Sequence, residues 1–115
     1  MDRYGLPLKM AVDFDGTLCQ DKYPEIGEPK EDIIELVKSY QRQGWRLILW
    51  TCRTDEYLEA AVNWCKEHGL VFDAVNTNIP EVKALFGGDT RKVFADKYLD
   101  DKNIIVPSTK LNNGN

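Results

Sequence analysis

The sequence predicts an α/β protein built on a small parallel sheet. Short apolar runs of strand character alternate with stretches of helical period. Glycines stand where those helical stretches should stop, at Gly44, Gly69 and Gly87-Gly88. Arg46-Leu47-Ile48-Leu49-Trp50-Thr51 is apolar almost throughout, the pattern of a strand covered on both faces.

The elements follow in order. Leu8 to Asp13 predicts the first strand. The polar, Pro- and Gly-punctuated stretch Cys19–Pro29 predicts a loop. Lys30–Gln43 predicts a helix, because Ile33, Ile34, Val37 and Tyr40 repeat at helical spacing. Arg46–Thr51 is the second strand. Asp55–His68 is a second helix, with Leu58, Ala61, Val62 and Cys65 on one face. Leu70–Val75 predicts a third strand, Pro80–Phe86 a short helix, and Val93–Leu99 a fourth strand. Ile104-Ile105-Val106 predicts a short fifth. Residues 1–106 read as one domain and 107–115 as a polar, loose tail.

Composition narrows the function. A chain of 115 residues with 43% hydrophobic and 30% charged residues can bury a core without staples. A net charge of −4 leaves no basic footprint, so nucleic acid is not indicated. The three cysteines, Cys19, Cys52 and Cys65, lack C-x-x-C spacing and read as reduced thiols. A single histidine, His68, rules out a histidine cluster. No apolar run is long enough to span a bilayer and no signal peptide opens the chain, so a cytoplasmic protein is expected.

Val12-Asp13-Phe14-Asp15-Gly16-Thr17-Leu18 carries the functional signal. The first strand delivers Asp13 to its carboxyl end, Asp15 falls in the following turn, and Gly16 lets the backbone fold tightly. Parallel sheets bind ligands at the carboxyl ends of their strands. Thr51 and Asp100 end two further strands, so these groups are expected on one edge. Carboxylates gathered there suit a hard cation such as Mg²⁺, and one of them can act as a nucleophile. In phosphoryl transfer Asp13 would attack phosphorus, and Asp15 would serve as acid and then base. Asp13 and Asp100 would ligate the metal, with the Asp15 carbonyl as a third ligand and Asp101 as an outer partner. Thr51 and Lys92 would hold the phosphate, helped by backbone N–H groups from Phe14 to Gly16. Arg53 lies close enough to Thr51 to meet a substrate's charge; a solvated arginine fits equally. Lys83 and Lys97 compete with Lys92, and Asp101 with Asp100. Trp45, Trp50 and Trp64 read as packing residues, and Asp96 as a turn or strand-start carboxylate.

These residues resemble the haloacid dehalogenase superfamily. Asp13-Phe14-Asp15-Gly16-Thr17-Leu18 looks like its first motif, Thr51 its second, Lys92 its third, and Tyr98-Leu99-Asp100-Asp101 its acidic fourth. The resemblance runs from about Met10 to Asn103. It implies a Mg²⁺-dependent phosphatase working through an aspartyl-phosphate on a three-layer Rossmann-like fold. Asp15 points to phosphate, since members that cleave carbon–halogen bonds lack it. Cys19–Pro29 and Asn76–Arg91 leave room only for loops, which resembles the cap-less class. Such relatives act on macromolecular phosphates or borrow a lid from a neighbouring copy; a phosphorylated small molecule is the other substrate class. A phosphotransferase, a phospho-acceptor module or a non-catalytic binding protein on the same fold remain alternatives. The acceptor module is disfavoured because the third strand ends in Val75-Asn76, without an aspartate.

Overall fold

The computed structural model describes residues 1–106; the expected tail lies outside the described residues. Six strands and three helices follow in the order β1 (Lys9–Val12), β2 (Cys19–Lys22), β3 (Glu25–Pro29), α1 (Glu31–Arg42), β4 (Arg46–Leu49), α2 (Asp55–Glu67), β5 (Ala74–Val75), α3 (Pro80–Phe86) and β6 (Lys97–Leu99). Four strands form a parallel sheet in the order β5-β4-β1-β6. The mixed α/β architecture with a Rossmann-like parallel sheet therefore matches the sequence expectation.

Strand alternation sorts the core into two layers. Met10, Val12, Leu47 and Leu49 point to the face where Ile34 and Val37 of α1 and Ala61 and Cys65 of α2 pack. Ala11 and Ile48 point to the other face, against Ile79, Val82 of α3 and Val93. Because both faces are covered, β1 and β4 are buried almost without interruption, which explains why their sequences are apolar rather than alternating. β1 also marks the place where the strand order reverses: the chain leaves it for β4 on one side and returns as β6 on the other.

Four boundaries depart from the sequence reading. Cys19–Pro29 is an antiparallel hairpin, β2–β3, and not a loop. Its first strand is Cys-Gln-Asp-Lys, with three exposed positions, so no apolar alternation announces it. β5 is confined to Ala74–Val75, because the Asp73 side chain takes over the work of a further strand residue. Its Oδ2 accepts the Leu47 amide at 2.9 Å, while its own amide reaches the Leu47 carbonyl at 2.8 Å. Asp96 does the same before β6, accepting the Lys9 amide at 3.0 Å and donating to the Lys9 carbonyl at 2.8 Å. Val93 and Phe94 thus precede the strand they were expected to start. Ile104-Ile105-Val106 belongs to no strand and is exposed; its β-branched composition favours a strand, but it pairs with no edge.

No helix among the described residues is long and apolar enough to cross a membrane.

Candidate active site

Register builds the site. Val12 pairs with Leu49 and Leu99, and Leu49 pairs with Val75. One residue further, Asn76, Trp50, Asp13 and Asp100 therefore stand side by side at the carboxyl edge of the sheet. Backbone bonds hold this last row: Asp13 N–H to Leu99 O at 2.9 Å, Trp50 N–H to Val12 O at 2.9 Å, and Asn76 N–H to Leu49 O at 2.7 Å. All four residues, with Thr51 and Cys52, line a cavity of about 430 Å³.

On one side of this cavity the carboxylates of Asp13, Asp100 and Asp101 converge, with one oxygen from each within 4.8 Å of the others. Were β6 to continue, Asp100 and Asp101 would point to opposite sides, as successive strand residues do. They converge because β6 ends at Leu99 and the chain turns; the Asp100 carboxylate accepts the Lys102 amide at 3.0 Å. Thr17 joins the two halves of the cluster. Its hydroxyl donates to Asp13 Oδ2 at 3.0 Å and accepts the Asp101 amide at 3.0 Å. Burial pushes the Asp13 carboxyl up to about 6; the Thr17 hydrogen bond opposes this, and the charges of Asp100 and Asp101 add to it. Asp101 is held below the usual carboxylate range. Burial works against that, but hydrogen bonds from Lys102 and Asp13 outweigh it.

The turn after Asp13 is tightly made. The amides of Thr17 and Leu18 both bond to the Phe14 carbonyl, at 3.1 and 2.9 Å, and the Gly16 amide is committed to Cys19 O at 2.8 Å. Gly16 was expected to offer that amide to a phosphate; the hairpin uses it instead. The Phe14 and Asp15 amides bond to no protein group among the described residues, so of the three amides expected to face an anion only those two are uncommitted. The Lys30 ammonium donates to Gly16 O at 2.7 Å, beside the acidic cluster.

Asp15 and Arg53 are paired. Both Asp15 oxygens receive guanidinium N–H groups at 2.8 Å, and Arg53 is 1% exposed. Arg53 was expected to meet a substrate's charge, but it is sealed away from the cavity. The Asp15 carboxylate stands outside the acidic cluster, which leaves the expected ligand role of its backbone carbonyl untouched. Thr51 does line the cavity. Its amide donates to Asn76 Oδ1 at 2.8 Å and its hydroxyl oxygen accepts the Arg53 amide at 3.2 Å, leaving the hydroxyl proton for a ligand. Lys92 is not brought beside Asp13. Its ammonium lies 5.4 Å from the centre of the Tyr98 ring, in an adjoining groove that shares Trp50 and Asp100 with the cavity. Trp50, expected in the core, is half-buried and walls both spaces.

Thr17, Lys30 and Asn76 had been given no site role. Thr17 had a signal, since it sits inside the Asp13–Leu18 motif; Lys30 and Asn76 had none.

A solved structure of a conserved protein from Bacteroides thetaiotaomicron is 40% identical to this chain, with a TM-score of 0.76; the match covers 90% of this chain and 84% of that one. The chain belongs to the same family as that protein. No protein-family model matches the sequence, and no curated protein matches it.

Proposed function

We propose that this protein is a Mg²⁺-dependent phosphohydrolase of the haloacid dehalogenase type, acting through an aspartyl-phosphate on Asp13. The observation that carries this reading is the convergence of Asp13, Asp100 and Asp101 beside a cavity that Asp13 and Thr51 also line. Three carboxylate oxygens, with no nitrogen or sulfur donor among them, fit a hard divalent cation. Bound there, Mg²⁺ would neutralise charge between the nucleophile and the phosphate.

The protein's own groups would do the rest. An Asp13 carboxylate oxygen attacks phosphorus as the bond to the leaving oxygen breaks, and that oxygen takes the electron pair and a proton from Asp15. Water then attacks the phosphorus of the aspartyl-phosphate, giving its proton to Asp15 and returning Asp13 as a carboxylate. Thr17 holds Asp13 in line through its hydroxyl. The Thr51 hydroxyl and the Phe14 and Asp15 amides are donors for the phosphate oxygens. The leaving group lies against Trp50 and Cys52, which line the same cavity.

The test is phosphate release from p-nitrophenyl phosphate and a panel of phosphorylated metabolites, with and without Mg²⁺. Turnover is expected only with the cation, and Asp13→Asn should abolish it. Wild-type protein inactive on every substrate would rule the function out.

A further inference from the structure

Arg53 takes no part in the steps above, yet it is the most heavily engaged side chain near them. A guanidinium has five N–H donors in a rigid fork. Here each one has a partner: Nε meets Asp15 Oδ2 at 2.8 Å, Nη2 meets Asp15 Oδ1 at 2.8 Å and Glu25 O at 2.9 Å, and Nη1 meets Pro24 O at 3.1 Å and Tyr57 O at 3.4 Å. The rings of Phe14 and Tyr23 lie 5.1 and 5.0 Å from the guanidinium carbon. No donor is left for a substrate.

The partners come from separate places. Tyr23, Pro24 and Glu25 form the bend of the β2–β3 hairpin, Tyr57 lies in the first turn of α2, and Asp15 follows the strand that carries Asp13. One buried cation therefore ties the hairpin, α2 and Asp15 together. The pairing does not consume Asp15. A carboxylate has about four lone-pair sites, and Arg53 takes one on each oxygen. The Asp15 side chain keeps 17% of its surface open.

Resting on the phosphatase reading, we propose that Arg53 is a positioning residue that fixes Asp15 to the β2–β3 hairpin and so sets the geometry of proton transfer. Arg53 itself gives up no proton, since guanidinium does not titrate in the working range. Its effect must then appear where the leaving oxygen needs protonation, and fade where that oxygen departs as a stable anion. A small misplacement of an acid costs much of its contribution to the rate.

The test compares wild type with Arg53→Lys, which keeps a positive charge and loses the fork, on p-nitrophenyl, phenyl and alkyl phosphates with Mg²⁺. The kcat/KM for phenyl and alkyl phosphates should fall on the order of 10²-fold, while p-nitrophenyl phosphate loses far less. Competitive inhibition by inorganic phosphate should be unchanged. An equal loss on all three substrates would overturn the proposal, as would weakened inhibition by phosphate, which would make Arg53 a phosphate ligand. Should Arg53→Lys not fold, as judged by its melting curve, Tyr23→Ala at the exposed hairpin bend takes its place, with the same pattern expected at smaller size. Wild-type protein without turnover would sink the phosphatase reading and this proposal together; turnover with a uniform loss would sink the proposal alone.

Discussion

Gly16 lies directly against the Asp101 carboxylate: a Cβ added to it would sit 2.8 Å from Asp101 Cγ. Its φ of +89° is also one that side chains rarely adopt. The glycine of the Asp13 turn is thus needed twice, for the bend and for the approach of an acidic group 85 positions on in the chain. Gly16→Ala should cost about 1–3 kcal/mol in backbone strain and push Asp101 out of the cluster. Urea unfolding, with and without Mg²⁺, measures both effects. The variant should be less stable and should lose most of the stabilisation that Mg²⁺ gives wild type.

The cluster also predicts a pH dependence. The Asp13 carboxyl is raised from 3.8 to about 6 by burial and by the neighbouring carboxylates. The folded protein therefore holds this proton more tightly than the unfolded chain. The associated stability is fully present below about 3.8 and is lost as pH rises through about 6. Without metal, Asp13→Asn should be more stable than wild type at pH 7.5, with the gap shrinking towards pH 4. Denaturant midpoints at both pH values check this. Mg²⁺ needs the ionised carboxylate, so its stabilisation of wild type should be larger at pH 7.5 than at pH 5.

Asp15→Asn will report on folding as well as on chemistry. Arg53 is buried, and Asp15 is the one carboxylate it is paired with among the described residues. Removing one partner of a buried pair typically costs 3–5 kcal/mol, because a charge is left uncompensated. Asp15→Asn should lose about that much in urea unfolding, whereas Asp100→Asn, which breaks no ion pair, should lose little. Asp13→Asn is accordingly the cleaner probe of activity.

Asn76 supports the Thr51 side of the cavity through its bond to the Thr51 amide. Its φ of +56° makes glycine the replacement that keeps the backbone. Asn76→Gly should leave the fold intact at a cost of about 1 kcal/mol and raise KM more than it lowers kcat. Steady-state kinetics separate the two.

Much of the fold was legible because parallel strands covered on both faces, such as Met10–Val12 and Leu47–Leu49, are written as continuous apolar runs. Asp13 could be placed on the carboxyl edge for the same reason, since it directly follows such a run. Asp100 was placed there as the residue that ends a further strand, although β6 (Lys97-Tyr98-Leu99) is largely exposed. The hairpin was not legible, since Gln20, Asp21 and Lys22 carry no alternation. The late starts of β5 and β6 were hidden because Asp73 and Asp96 replace backbone pairing with a side-chain oxygen, which periodicity cannot register. The Asp15–Arg53 pair spans 38 positions and depends on where the hairpin bend packs. In sequence Arg53 looks like any arginine ahead of a helix. Lys92 was placed at the site by its resemblance to the third motif, although its position ahead of a strand suited the carboxyl edge less well than that of Asp100; in the structure it lies over Tyr98.

Asp13 as the nucleophile is tested most directly by mass spectrometry of protein quenched in acid during turnover of p-nitrophenyl phosphate with Mg²⁺. A phosphoryl adduct on the peptide containing Asp13, absent from Asp13→Asn, is the expected result. Phosphate release with no adduct on that peptide, at a rate that Asp13→Asn retains, would contradict it.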